Sequence, residues 1–278
     1  MKLLIAGCGY VGSALAVELV ADGHEVWGLR RRFTQVPAGV RAMEADLSLR
    51  SDLTRLPGAL DAVIYLVSPG GSDDALYRAA YVVGTANLLA ALEAAGASPR
   101  RILFASSTAV YGQQRGEWVD EESPAEPTHF SGKRVLEGER QLGASAFAAT
   151  IVRFGGIYGP RRTRLVDRVR SGAALYRRSR YTNRIHRDDC VGVLRHLLTQ
   201  PAPASLYLGV DCEPVDERTL HTWLAGATGA PVPREAPAHA PRPARGGNKR
   251  CSNDRLLGTG YEFRFPTFRD GYAAVLDK

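Results

Sequence analysis

The stretch Lys2-Leu-Leu-Ile-Ala-Gly-Cys-Gly-Tyr-Val-Gly-Ser13 decides the fold of this chain. It begins with a short apolar run that predicts a strand and continues through a glycine-rich turn. Residues 14–20 then show the apolar spacing of a helix that ends near Gly23. A strand, a glycine turn and a helix in this order form an anion site, because backbone N–H groups at the helix N-terminus attract negative charge. The stretch therefore indicates a dinucleotide-binding corner.

The three glycines of this turn have different expected tasks. Gly7 permits the tight turn, Gly9 lets the backbone approach a diphosphate, and Gly12 lets the helix and the strand pack closely. We expect these glycines to bind the cofactor together with the two residues between them, Tyr10 and Val11. An ordinary strand-to-helix corner without a ligand is the alternative.

The second predicted strand, Glu25 to Leu29, runs directly into three arginines. Dinucleotide folds that accept NAD place an acidic residue about 20 residues after the glycines, whereas an arginine there suits the 2′-phosphate of NADP. Arg30 and Arg31 are therefore the expected contacts of an NADP(H) cofactor. A solvated basic turn is the alternative interpretation.

Length and composition describe a globular chain. Its 278 residues, of which 45% are hydrophobic, predict one large domain or two interleaved ones. No apolar run approaches the roughly 20 residues that span a bilayer, and no signal-peptide layout precedes the first strand. We therefore expect no membrane partner and a cytoplasmic location.

The net charge of +7 comes mainly from arginine, which binds phosphates through paired donors and so favours anionic substrates. No basic stripe interleaved with aromatic residues is present, so nucleic-acid binding is not expected. The cysteines lack metal-ligand spacing and predict buried free thiols and no metal site; they are Cys8, Cys190, Cys212 and Cys251.

Strands alternate with helices along the first 154 residues. Further strands are predicted at residues 40–45, 60–67, 100–105 and 149–154, the last as the sixth and final one, and a long helix at residues 73–95. This alternation predicts an α/β fold with a doubly wound parallel sheet, the Rossmann fold. Residues 1–157 form the predicted cofactor domain, to which residues 183–202 return.

Residues 158–278 make up a smaller, interleaved C-terminal region that we expect to bind the substrate. Arg161 to Arg187 contains ten arginines, and Pro231 to Gly247 is rich in proline, alanine, arginine and glycine, which predicts an extended loop.

Several segments in this order resemble the extended short-chain dehydrogenase/reductase superfamily, within it the atypical bacterial group of NAD(P)-dependent epimerase/dehydratase-like proteins. The matching segments are the glycine turn, Asp46-Leu47, Val83-Gly-Thr-Ala-Asn-Leu-Leu89, Phe104-Ala-Ser-Ser-Thr-Ala-Val-Tyr-Gly112, Arg153-Phe-Gly-Gly-Ile-Tyr-Gly-Pro160 and Arg184-Ile-His-Arg-Asp-Asp189.

The chemistry of that superfamily depends on a Tyr-x-x-x-Lys pair and an upstream hydroxyl residue. The resemblance assigns the hydroxyl position to Ser107 and the lysine position, which holds the cofactor ribose, to Lys133. His129 occupies the tyrosine position, either as a proton shuttle or as a wall residue of an inactive site. Asp46 and Leu47 would meet the adenine edge.

Two functions follow from this resemblance. The first is an NADP(H)-dependent oxidoreductase or epimerase/dehydratase-like enzyme that acts on a carbonyl or hydroxyl of a small polar or phosphorylated substrate, such as a nucleotide sugar. The second is a catalytically degenerate NADP(H)-binding module that signals the cofactor state to a protein partner. The resemblance also suggests a homodimer.

Overall fold

A computed structural model describes residues 1–237, 239 and 247–277. The strands are β1 Lys2–Ala6, β2 Glu25–Arg30, β3 Arg41–Glu44, β4 Ala62–Tyr65, β5 Arg101–Ser107, β6 Glu117–Val119, β7 Ala149–Phe154, β8 Gly156–Tyr158, β9 Leu175–Tyr176, β10 Tyr181–Thr182, β11 Arg184–His186, β12 Leu206–Gly209, β13 Val215–Asp216, β14 Arg234–Glu235 and β15 Lys249–Cys251. The helices are α1 Tyr10–Ala21, α2 Asp74–Arg78, α3 Gly84–Ala94, α4 Phe130–Gly143, α5 Arg164–Arg170, α6 Arg187–Thr199, α7 Glu217–Thr228, α8 Asp254–Leu257 and α9 Phe268–Leu276.

The central sheet has seven strands in the order β12-β7-β5-β4-β1-β2-β3, and all its pairs are parallel. The doubly wound α/β fold is thus confirmed. The prediction that Ala149 to Phe154 is the last strand is wrong, because β12 follows it at the sheet edge. The part of the chain that returns to the sheet therefore extends beyond residue 202, to Gly209.

Alternate side chains of β1 enter two different cores. Leu3 and Ile5 pack on the face covered by α1 and α6, whereas Leu4 and Ala6 pack on the face covered by α3. Such alternation is what a sheet covered by helices on both sides requires. The direction of winding reverses between β1 and β4, and a crevice opens there at the carboxyl ends of the strands.

The long helix predicted at residues 73–95 is continuous but not uniform. A π-helical segment, Ala79–Val83, separates α2 from α3. The Tyr65 hydroxyl donates a hydrogen bond to the carbonyl of Ala80, and Thr85 Oγ1 donates to the carbonyl of Tyr81 at 2.7 Å. Segments of this kind often occur at functional sites, because they redirect side chains.

The same helical stretch, Asp74–Ala94, has the length and mean hydropathy (1.3) of a membrane-crossing helix. The expectation that no apolar stretch approaches this length therefore needs correction. Its buried leucines, Leu88, Leu89 and Leu92, pack into the core beside the sheet, and a core helix passes the same test of length and composition.

The C-terminal region has a small core of its own. α5, α7 and α9 contribute buried side chains such as Val166, Leu220, Leu224 and Phe268, and Tyr158 at the end of β8 packs with them. Of the loop predicted at Pro231 to Gly247, β14 pairs with β9, while residues 238 and 240–246 lie outside the described residues.

His221 lies in this small core and makes the stability of the protein depend on pH. Burial, together with the positive charges of Arg184 and Arg168, lowers its pKa from 6.5 to about 4. At pH values between 6.5 and about 4, His221 binds a proton in the unfolded chain but not in the folded chain. The stability of the protein therefore falls as the pH falls. We expect a loss of about 3 kcal/mol from pH 7 to pH 4, at about 1.4 kcal/mol for each pKa unit.

Urea denaturation of the wild type and of His221→Leu at both pH values measures this contribution. The variant should lack the part of the pH dependence that His221 causes. Equal pH dependence in the two proteins would show that His221 does not contribute.

Candidate functional site

The crevice at the switch point is a cleft of about 1330 Å³. Its walls come from the glycine turn, the ends of β2 and β3, the residues after β4 and β5, and the α2 and π-helical segments. Since ligand pockets commonly measure about 300–1000 Å³, this cleft has room for an extended ligand.

Two glycines of the turn are required by its geometry. Gly7 has a φ of +101°, and a Cβ there would lie 2.5 Å from the backbone carbon of Leu66. A Cβ at Gly12 would lie 2.5 Å from the carbonyl oxygen of Gly7. At Gly9 the nearest such atom is 3.9 Å away, so this residue keeps its face open to the cleft.

The N-terminus of α1 fits an anion. Gly9 is its N-cap and offers no side chain to accept a hydrogen bond from the first turn, which also lacks acidic residues. The first backbone N–H groups of a helix need acceptors, and the positive end of the helix dipole favours a negative one. Gly9, Tyr10 and Val11 line the cleft. The diphosphate of a dinucleotide is therefore an appropriate ligand for these residues.

Three consecutive arginines at the end of β2 line the same cleft: Arg30, Arg31 and Arg32. All three are exposed, and over the described ranges none of their side chains takes part in an ion pair. The acidic residue nearby, Glu44, uses its carboxylate to accept a hydrogen bond from the backbone of Phe33 at 2.9 Å. The side chains of these three arginines are therefore available to bind an anionic group.

Asp46 and Leu47 also line the cleft. Oδ1 of Asp46 accepts hydrogen bonds from the backbone and the hydroxyl of Ser48, at 2.9 and 2.7 Å. The carbonyl of Leu47 accepts one from Asn87 at 2.9 Å, across from α3. These bonds fix the cleft wall after β3, where the adenine edge was expected.

Ser107 lies at the end of β5 on the cleft wall, as the sequence suggested. It is the N-cap of a short turn, and its Oγ accepts a hydrogen bond from the backbone of Ala109 at 3.2 Å. The hydroxyl hydrogen of Ser107 therefore remains available to an oxygen of a ligand.

A buried ionic network supports this wall from behind. Ser106 donates a hydrogen bond to Glu139, and Arg153 binds both carboxylate oxygens of Glu139, with distances of 3.0 and 2.6 Å. Arg153 also donates to the Tyr111 hydroxyl at 2.8 Å and stacks on its ring. Burial raises the pKa of Tyr111 to about 12, so this phenol stays neutral. The network anchors α4 to β5 and β7.

The structure does not bring Lys133 and His129 to the cleft. The buried face of α4 includes Ser131, Val135 and Glu139 and extends to Leu136. The Lys133 side chain lies beyond the edge of this face and is exposed. His129 is the N-cap of α4, and its Nδ1 accepts from the backbone of Ser131 at 3.3 Å. Neither residue lines the cleft.

The cleft lining also includes Tyr77, Tyr81 and Arg162, which the sequence motifs did not indicate. The two tyrosines lie one turn apart, with ring centroids 5.8 Å apart. Their spacing of four residues within the helix predicted at residues 73–95 was the available signal, because it places both rings on one face of that helix. Nothing in the sequence placed Arg162, because its position depends on the fold.

The other sequence predictions concern cysteines and metals. Cys8, Cys190 and Cys251 are buried free thiols, but Cys212 is exposed, because it lies in the loop after β12. Burial raises the pKa of the Cys8 thiol beside the glycine turn. In the part of the chain that the structure describes, no group of three His, Cys, Asp or Glu residues is placed to hold a metal ion.

The similarity of this chain to known proteins identifies its family. Residues 3–202 match the NAD dependent epimerase/dehydratase family. The chain belongs to this family. A 3-diazoavenalumate denitrifying reductase from a Streptomyces species is 29% identical over 98% of this chain and 99% of its own length. The UDP-glucose 4-epimerase of Corynebacterium glutamicum is 31% identical over 57% of this chain and 52% of its own length.

Solved structures agree with this assignment. A Methylobacillus flagellatus protein assigned to the NAD-dependent epimerase/dehydratases is 40% identical, with a TM-score of 0.83 over 99% of this chain and 97% of that one. The chain is therefore an NAD(P)-type Rossmann protein of a family with enzyme members.

Proposed function

We propose that this chain is an NADP(H)-dependent oxidoreductase or epimerase-like enzyme that acts on a carbonyl or hydroxyl of a small polar substrate. The observation that carries the proposal is the cleft itself: an uncapped helix N-terminus at one end, three arginines at the end of β2, and the Ser107 hydroxyl on its wall. Nucleotide sugars are the first substrates to test, since one relative is a UDP-glucose 4-epimerase.

The preference for NADP(H) rests on the corner after β2. Arg30 and Arg31 offer paired donors that suit a dianionic 2′-phosphate, and no carboxylate in the described residues neutralises them. The cofactor, when bound, supplies or accepts a hydride. The protein itself binds the cofactor at the glycine turn and holds the substrate oxygen with Ser107.

Lys133 and His129 are left out of this proposal, because they lie outside the cleft. Three phenols line it instead, those of Tyr10, Tyr77 and Tyr81. Because a phenol can exchange a proton with a substrate oxygen, these tyrosines are the candidates for proton transfer.

The direct test follows NADPH oxidation by absorbance against keto-sugars, nucleotide-sugar ketones and simple aldehydes. Turnover should occur in the wild type and fall sharply in Ser107→Ala. Interconversion of nucleotide sugars without net NADPH loss would identify an epimerase. NADPH binding with no reaction of either kind would contradict the proposed enzyme and favour a cofactor-binding module.

Cofactor preference has its own prediction. In Arg30→Glu/Arg31→Glu the dissociation constant for NADPH should rise by about 100-fold, since two charge-assisted contacts are each replaced by repulsion. The dissociation constant for NADH, which lacks the 2′-phosphate, should change far less. Arg50→Glu/Arg55→Glu makes the same charge change at two exposed positions outside the cleft and should leave both constants nearly unchanged. Equal losses for NADPH and NADH would mean that these arginines do not bind the 2′-phosphate.

A further inference from the structure

A second cavity lies beside the cleft, between the end of β8 and α5. It measures about 600 Å³, and its lining contains four arginines and one carboxylate. The lining residues are Arg161, Arg162, Thr163, Arg164, Asp167, Arg168 and Ser171. We call it the arginine pocket.

In the part of the chain that the structure describes, no ion pair neutralises an arginine of the arginine pocket. Its carboxylate, Asp167, accepts a hydrogen bond from the Thr163 hydroxyl at 2.9 Å and forms no ion pair with the arginines of the pocket. Among the residues described by the structure, Arg161 and Arg164 have no hydrogen-bonding or ionic partner for their side chains. Cations that are held close together repel one another, so an anion between them would be stabilised.

The turn that carries Arg161 and Arg162 has an unusual backbone conformation. Arg161 has a φ of +63°, a left-handed conformation that is uncommon for residues other than glycine. It follows Gly159, whose φ is +145° and whose Cβ, if present, would lie 2.9 Å from the Tyr10 hydroxyl. A tight turn thus carries Arg161 and Arg162 against the glycine turn of the cofactor cleft.

Arg162 connects the two cavities, because it lines both. Its guanidinium lies 4.8 Å from the centre of the Tyr10 ring, and that of Arg187 lies 5.4 Å from the same ring. The Tyr10 ring therefore separates the diphosphate position at the glycine turn from the arginine pocket.

We propose that the arginine pocket is a second anion site, which binds a diphosphate or triphosphate group while a dinucleotide occupies the cleft. Phosphate oxygens accept several guanidinium donors at once, and the volume of the pocket admits more than one phosphate. This site does not depend on which reaction the cleft performs.

The test is isothermal titration with inorganic pyrophosphate, in the presence and absence of saturating NADP⁺. The wild type should still bind pyrophosphate when NADP⁺ is present. Arg161→Gln/Arg164→Gln should weaken that binding by about tenfold or more, because two charge-assisted contacts are lost. The double variant should bind NADP⁺ as the wild type does.

Arg55→Gln/Arg170→Gln is the matched control, since it also removes two positive charges and both residues are exposed and lie outside the pocket. Loss of all pyrophosphate binding on saturation with NADP⁺ would overturn the proposal, as would an equal loss in the control, which would indicate a general effect of net charge. If NADP⁺ itself does not bind, the proposed function fails, but the difference between double variant and control still decides whether the pocket is an anion site.

Discussion

Glu139→Gln is expected to lower the free energy of unfolding by about 3–5 kcal/mol, which would be a large share of the stability of a typical domain. The variant leaves the Arg153 guanidinium buried without its counter-charge; Glu139 and Arg153 are only 4% and 6% exposed. It also removes an anionic acceptor from Ser106 on the cleft wall.

Urea denaturation measures this loss. Glu137→Gln is a matched control on the same helix, because Glu137 forms a partly exposed ion pair with Arg134 and should matter far less. The double variant Glu139→Leu/Arg153→Met removes both charges and should be more stable than Glu139→Gln. If Glu139→Gln were no less stable than Glu137→Gln, the buried pair would not hold α4 to the sheet.

Gly12→Ala should abolish most cofactor binding, with a dissociation constant for NADPH raised about 100-fold or more. The new Cβ would lie 2.5 Å from the Gly7 carbonyl oxygen, so the turn and the helix must move apart. Two backbone hydrogen bonds to phosphate, each worth about 1.5–3 kcal/mol, account for a loss of this size.

Gly226→Ala is the control for a glycine replaced inside a helix. Its Cβ would meet no heavy atom within 4 Å, so it should stabilise α7 by about 0.5–1 kcal/mol and leave NADPH affinity unchanged. Fluorescence titration with NADPH, together with thermal unfolding, separates binding from stability. Wild-type affinity in Gly12→Ala would show that the glycine turn does not contact the cofactor.

The fold was largely predictable from local pattern. A strand, a glycine turn and a helix are encoded within about twenty residues, and β7 was placed at its observed bounds, Ala149–Phe154. The strand β12 was not predicted, because it has only four residues and follows the proline-containing segment Gln200-Pro-Ala-Pro203. Short apolar runs of this kind carry too little periodicity to identify a strand.

The site was less predictable, because side-chain direction depends on the phase of a helix against the core. The spacing from His129 to Lys133 satisfied a motif, yet packing turned Ser131 and Val135 inward and left Lys133 outside. Gly7, Gly9, Arg30, Arg31 and Ser107 were easier to place, since they lie at or just after the ends of strands that define the cleft.

The position of β12 has a consequence for how the protein must be made. Residues 206–209 complete the sheet only after the chain has passed through α5 and α6, and they cover the edge of β7. A fragment ending at residue 157 would leave that edge open to pairing with other chains. During synthesis, the dinucleotide-binding half therefore cannot finish folding until the chain has left the ribosome as far as residue 209.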